Sequence, residues 1–105
     1  MTIKEALIKI DEWFSCEDKW CKKRGCTDRF GRPINNIHRA KKCCLIGAIV
    51  ILVPEYFRIK RLVIERLANA IGGNDDVDLM RFNDLDSTTF IDIKNALKKA
   101  IESEA

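Results

Sequence analysis

Apolar residues recur at helical spacing in three stretches of the chain. Ile3, Ala6, Leu7, Ile10 and Phe14 fall at i, i+3, i+4, i+7 and i+11, one stripe along a helix. Thr2 stands where an N-cap is wanted, so the spacing predicts a helix ending at about Phe14. Phe57, Leu62, Val63, Leu67, Ala70 and Ile71 make a second face, with Pro54 suited to its first turn and Gly72-Gly73 to its stop. Phe90, Ile93, Leu97, Ala100 and Ile101 make a third, with Asp86 or Ser87 as its cap. The run from Cys43 to Val53 has no polar side at all. By periodicity alone it suits a helix buried all round or a buried strand, because Ile49 to Val53 is β-branch-rich.

The remaining stretches lack a long period. Ser15 to Pro33 mixes charge, Gly and Asp, and Asp28-Arg29-Phe30-Gly31 puts Asp at the first position of a turn and Gly at its last. That predicts a short hairpin with Trp20-Cys21 and Arg32-Ile34 as arms, Gly31 supplying a positive φ. Asn35 or Asn36 would cap a helix that takes in Ala40, Cys43 and Cys44 before the apolar run. Asn74 to Asp78 reads as a polar turn ahead of a short helical piece around Leu79-Met80.

At 105 residues, 47% hydrophobic and 33% charged, the chain is expected to be one globular domain, 1–105. Its start shows no basic segment followed by an apolar one, so no secretion signal is read there. Its longest apolar run, eleven residues, is far short of the roughly 20 that cross a bilayer as a helix. No membrane association is expected, and a cytoplasmic location is. Five cysteines, an odd number with three among lysines, fit reduced thiols better than a secreted disulfide framework.

Charge adds the candidate chemistry. The net charge is +3, yet residues 19–42 hold nine cations against Asp28 alone, a net of +8, while residues 74–105 hold eight acids against four bases. The cations Lys19, Lys22, Lys23, Arg24, Arg29, Arg32, Arg39, Lys41 and Lys42, with Trp20 and Phe30 between them, could neutralise phosphates and stack on bases. The competing reading lays this segment against the acids from Asp75 to Asp86. Cys16, Cys21 and Cys26, with His38 and Cys43-Cys44 downstream, are spaced too loosely for the usual zinc pattern, so no metal is assigned. Cys44 with His38 and Asp84 or Asp28 has the residue types of a nucleophile, base and orienter. Cys44 lies in the most apolar stretch, however, where burial raises a thiol's pKa, so no catalytic residue is assigned. Asn83-Asp84 with Asp86-Ser87 departs from the twelve-residue calcium loop and reads as a device that ties down backbone amides ahead of the last helix.

Trp20, Asp28-x-x-Gly31, Cys44-Leu45-Ile46-Gly47-Ala48 and Phe82-Asn83-Asp84 together resemble a family of small uncharacterised domains from bacteria and their phages. The resemblance spans nearly the whole chain and implies a fold, with a helix at Cys44-Leu45-Ile46-Gly47-Ala48, but no reaction or cofactor. Gly47 and Ala48 would let another helix approach closely. The expected architecture is mainly α: a compact bundle of about four helices around the one from Cys44 to Val53, with a small β-hairpin between helices 1 and 2. The expected function is a non-enzymatic binding or regulatory module that contacts a polyanion, nucleic acid included, or a protein through residues 19–42. The alternative is a thiol- or metal-dependent protein that uses Cys16, Cys21, Cys26 and Cys44.

Overall fold

The computed structural model describes residues 1–53 and 57–104, Phe57 by its backbone alone. Pro54 and the side chain of Phe57 therefore lie outside the described residues. The described chain forms five α-helices: α1 (Ile3–Trp13), α2 (Leu45–Leu52), α3 (Phe57–Ala70), α4 (Asp76–Asp84) and α5 (Phe90–Ser103). Three two-residue strands, β1 (Cys26–Thr27), β2 (Pro33–Ile34) and β3 (Lys42–Cys43), make an antiparallel sheet in the order β2-β1-β3 between α1 and α2.

Helix α1 follows its stripe. Thr2 caps it, accepting from the Glu5 amide while the Glu5 carboxylate accepts from the Thr2 amide, which satisfies two end donors reciprocally. Ala6, Leu7, Ile10 and Phe14 are fully buried. Helix α5 is capped in the same way by Thr89 and Asp92, not by Asp86 or Ser87. Thr89 is the residue directly before the apolar stripe, so its hydroxyl sits within reach of the third helical amide. The stripes of α1, α3 and α5 pack on one another and bury Leu7, Ile10, Val63, Leu67, Ile93 and Leu97 completely. Each such side chain contributes about 1.5–3 kcal/mol relative to exposure. After α3, the Gly72 and Gly73 amides return to the Asn69 and Ala68 carbonyls with Gly72 at φ 81°, the left-handed stop that glycine favours.

Helix α2 is a helix rather than a strand, but it is shorter than expected and is not enclosed. Asn36 caps only a 3-10 turn, Ile37–Arg39, and Cys43 belongs to β3. The helix begins after Cys44, whose sulfur accepts from the Gly47 amide at 3.2 Å. Leu45, Ala48, Ile49 and Leu52 are buried, whereas Val50 is 46% exposed. Its main packing is with α1, α3 and α4, so it flanks the α1-α3-α5 layer instead of forming the centre. Leu79-Met80 belongs to a nine-residue α4, capped by Asp75.

The hairpin exists with different arms. Cys26 pairs with Ile34 and Thr27 with Pro33, while Trp20 makes a single parallel bridge to Cys43. Its turn is held by Asp28, whose carboxylate accepts from the Phe30 and Arg32 amides at 2.8 and 3.0 Å while its carbonyl accepts from the Gly31 amide at 3.0 Å. Gly31 has φ 78°. Cys26 also faces Cys43 across β1 and β3, and the two are joined in a buried disulfide with Cα atoms 4.0 Å apart. This corrects the expectation of five reduced thiols: the sheet's register puts two cysteines, 17 residues apart in sequence, directly opposite each other. On a chain-entropy account, closing such a loop stabilises by about 3 kcal/mol.

Candidate functional site

The nine cations of the basic segment separate into two groups. Arg29, Arg32, Arg39 and Lys41 line one open cavity of about 460 Å³ with Asp28, Phe30 and Ala40. Two features of the chain bring them there: the Asp28 to Gly31 turn projects Arg29, Phe30 and Arg32, and the 3-10 turn delivers Arg39 ahead of Lys41. Phe30 is 65% exposed, with the Arg29 and Arg32 guanidinium carbons 4.8 and 5.0 Å from its ring centre. The ring thus supports the two cations rather than offering a bare stacking surface. The only acid lining the cavity, Asp28, is committed. Its carboxylate accepts two backbone amides and the Arg32 Nε at 3.0 Å.

The backbone amide of Arg32 is the leading cause that holds the Asp28 carboxyl below its ordinary value of 3.8, aided by the amide of Phe30 and the Arg32 side chain. The folded form thus favours the ionised carboxylate. The turn's stabilisation from this source is fully present above the unfolded value and is lost as pH falls through the lower folded one. Carboxyl NMR titration should place the Asp28 midpoint below that of a free aspartate; an ordinary midpoint would mean that the turn is not formed in solution.

The second group, Lys42 apart, is tied into the fold. Lys19 lies over Trp13 and Lys22 over Trp20, each 5.5 Å from a ring centre. Lys22 also donates to the Leu85 carbonyl and, at 3.4 Å, to that of Asp86, where cations suit the carbonyls at a helix C-terminus. Lys23 adopts φ 62° and donates its amide to Asp84 at 2.8 Å. Arg24 donates to the Gly31 carbonyl at 3.2 Å. Lys42 is exposed on β3. Among the nine cations, the segment meets residues 75–86 through the Lys22 side chain and the Lys23 amide. Among the described residues, no side-chain ion pair joins the basic segment to those acids.

Trp20, Asn83 and Asp84, residues of the sequence motif, form a hub. Asn83 is 1% exposed, and its Oδ1 accepts from Trp20 Nε1 at 2.7 Å and from the Leu45 amide at 3.0 Å. Its Nδ2 donates to the Cys21 carbonyl at 3.1 Å and to Asp84 at 3.0 Å. The side-chain amide is thereby fully satisfied. Trp20 is held as a strut by its indole N–H bond to Asn83. The amides that Asn83 and Asp84 tie down are those of Leu45 and Lys23, not those ahead of α5.

Gly47 packs closely, but against the loop rather than another helix. A Cβ there would lie 2.8 Å from the Gly25 carbonyl carbon, and Gly25 accepts from the Cys44 amide at 2.9 Å. Three thiols are free: Cys16, exposed, and Cys21 and Cys44, both half-buried. Burial is the first cause that raises the thiols of Cys21 and Cys44 above 9.0. Cys26 is spent in the disulfide, and among the described residues no three His, Cys, Asp or Glu side chains are placed to hold a metal ion. His38 is exposed on the 3-10 turn. No described helix is long and apolar enough to cross a membrane.

A family model described as a family of unknown function, DUF6197, matches residues 2–103. The chain belongs to that family. No curated protein and no solved structure matches it. Within this DUF6197 domain the motif residues Trp20, Asp28, Gly31, Cys44, Gly47, Asn83 and Asp84 all build the scaffold, and Ala48 lies on the buried face of α2. The disulfide and the hub's bonds to Cys21 and Leu45 were missed from sequence. The signal available was a pair of motif side chains, Trp20 and Asn83, that are polar at one end and sit beside apolar stretches.

Proposed function

We propose that this DUF6197 domain is a non-enzymatic binding module that takes a phosphate-bearing polyanion on the face made by Arg29, Arg32, Arg39 and Lys41. The observation that carries the reading is four cations around one open cavity whose single acid is already satisfied. With Phe30 supporting two of the guanidinium groups, recognition rests on phosphate contacts and little on base identity.

Fluorescence titration with labelled single- and double-stranded oligonucleotides tests it. If all four cations meet phosphates, log K should fall against log salt with a slope of roughly −3 to −3.5. Arg29→Gln, Arg39→Gln and Lys41→Gln together should flatten that slope to about −1 or less while leaving the melting temperature nearly unchanged, because exposed charges contribute little to folding. Lys22 and Arg24 are unsuitable targets, since their side-chain bonds to the Leu85 and Gly31 carbonyls mix binding with stability. Absence of binding at low salt would remove the proposal.

A further inference from the structure

Cys21 and Cys44 are brought together by three separate contacts. The parallel bridge pairs Trp20 with Cys43, and the Cys21 amide donates to the Cys43 carbonyl at 3.1 Å. One step further along that register, Cys21 stands beside Cys44, on chains that run about 4.8 Å apart. The Asn83 amide then spans the two segments, donating to the Cys21 carbonyl and accepting from the Leu45 amide. Gly25 closes the arrangement, because its carbonyl lies 3.8 Å from the Cys21 sulfur and accepts from the Cys44 amide. Opposed residues of a parallel pair point to the same side, and the ordinary spacing of paired strands lies within the Cα separation that a disulfide spans.

Access comes from one side. Cys44 lines an open cavity of about 430 Å³ whose charged lining residues are Lys23, Arg24 and Asp84, two cations against one acid. Cys43 is buried and bonded to Cys26, and its neighbour Cys44 presents a free thiol.

We propose that Cys21 and Cys44 form a second disulfide, closed by exchange with a small anionic disulfide of the oxidised-glutathione class. The Cys44 thiolate, its proton lost to solvent, attacks one sulfur of the small disulfide, giving a mixed disulfide and one released small thiolate. The Cys21 thiolate then attacks the Cys44 sulfur, forming the Cys21–Cys44 bond and expelling the second small thiolate. Two protein thiols are oxidised, one small disulfide is reduced, and the two protons end on the two released thiols. The new bond ties the Trp20 to Gly25 loop covalently to the start of α2.

The test uses a Cys16→Ala variant, which removes the exposed thiol and leaves Cys21 and Cys44 as the free pair. It is incubated with oxidised glutathione, then alkylated unfolded without reductant. The expected product has lost two hydrogen masses, takes up no alkylating agent and carries no glutathione. Trypsin should then link the peptide of residues 43–58 to both 20–22 and 25–29, with fragmentation assigning Cys44 to Cys21 and Cys43 to Cys26. In Cys16→Ala/Cys21→Ser the reaction should stop at a mixed disulfide on Cys44. A persistent glutathione adduct on Cys16→Ala, two alkylatable thiols after incubation, or an altered Cys26–Cys43 pairing would each overturn the proposal.

Discussion

Asn83→Ala should lower the stability of the domain by about 3–4 kcal/mol, because it leaves the Trp20 indole N–H, the Leu45 amide and the Cys21 carbonyl without their buried partner at about 1–3 kcal/mol each, less whatever water recovers. For a domain of this size that is a fall in melting temperature of roughly 12–30 °C. Asn83→Asp separates geometry from charge. Its carboxylate can still accept from Trp20 and Leu45, but it loses the donor to Cys21 and places a second anion beside Asp84, so it should also destabilise. A melting temperature within a degree or two of the parent for Asn83→Ala would refute the hub.

Gly47→Ala is the second large effect expected. The added methyl meets backbone of Gly25 at 2.8–3.1 Å, not the end of a flexible side chain, and that backbone is itself held by the Cys44 amide. Relief requires the loop to move off α2, at about 1–3 kcal/mol for alanine and more for Gly47→Leu. Urea unfolding should show a lower midpoint with unchanged slope. An unchanged midpoint for Gly47→Leu would show that α2 and the loop do not touch.

The parts of the fold that could be read in the sequence are those governed by local period. The stripes of α1, α3 and α5, the Thr2 cap, the Gly72-Gly73 stop and the Asp28 to Gly31 turn each depend on residues within a few positions of one another, and they stand where the pattern put them. Errors arose where distant partners decide. Residues 35–44 carry helical-looking content, yet pairing of β3 with β1 takes Lys42 and Cys43 into the sheet, so α2 cannot start before Leu45. Val50 belongs to an unbroken apolar run but stays exposed, because α2 lies at the flank and the run records no side. The nine cations were legible as charge, but not their division: which lysines reach the Leu85 and Asp86 carbonyls depends on α4, some sixty residues later in the chain.

The first turn of α2 is completed from far away. Its Leu45 amide is satisfied by a side chain 38 residues downstream, and the same side chain holds Trp20 from 63 residues upstream. Eight residues are too few to stay helical alone in water. The α1-α3-α5 layer can assemble from its own stripes, whereas α2 and the small sheet have to wait for α4 to dock. Contacts of that span form slowly, because the intervening chain must first be closed into a loop. The hub therefore acts as a late latch on folding, and weakening it should shorten the lifetime of the native state far more than it delays its arrival.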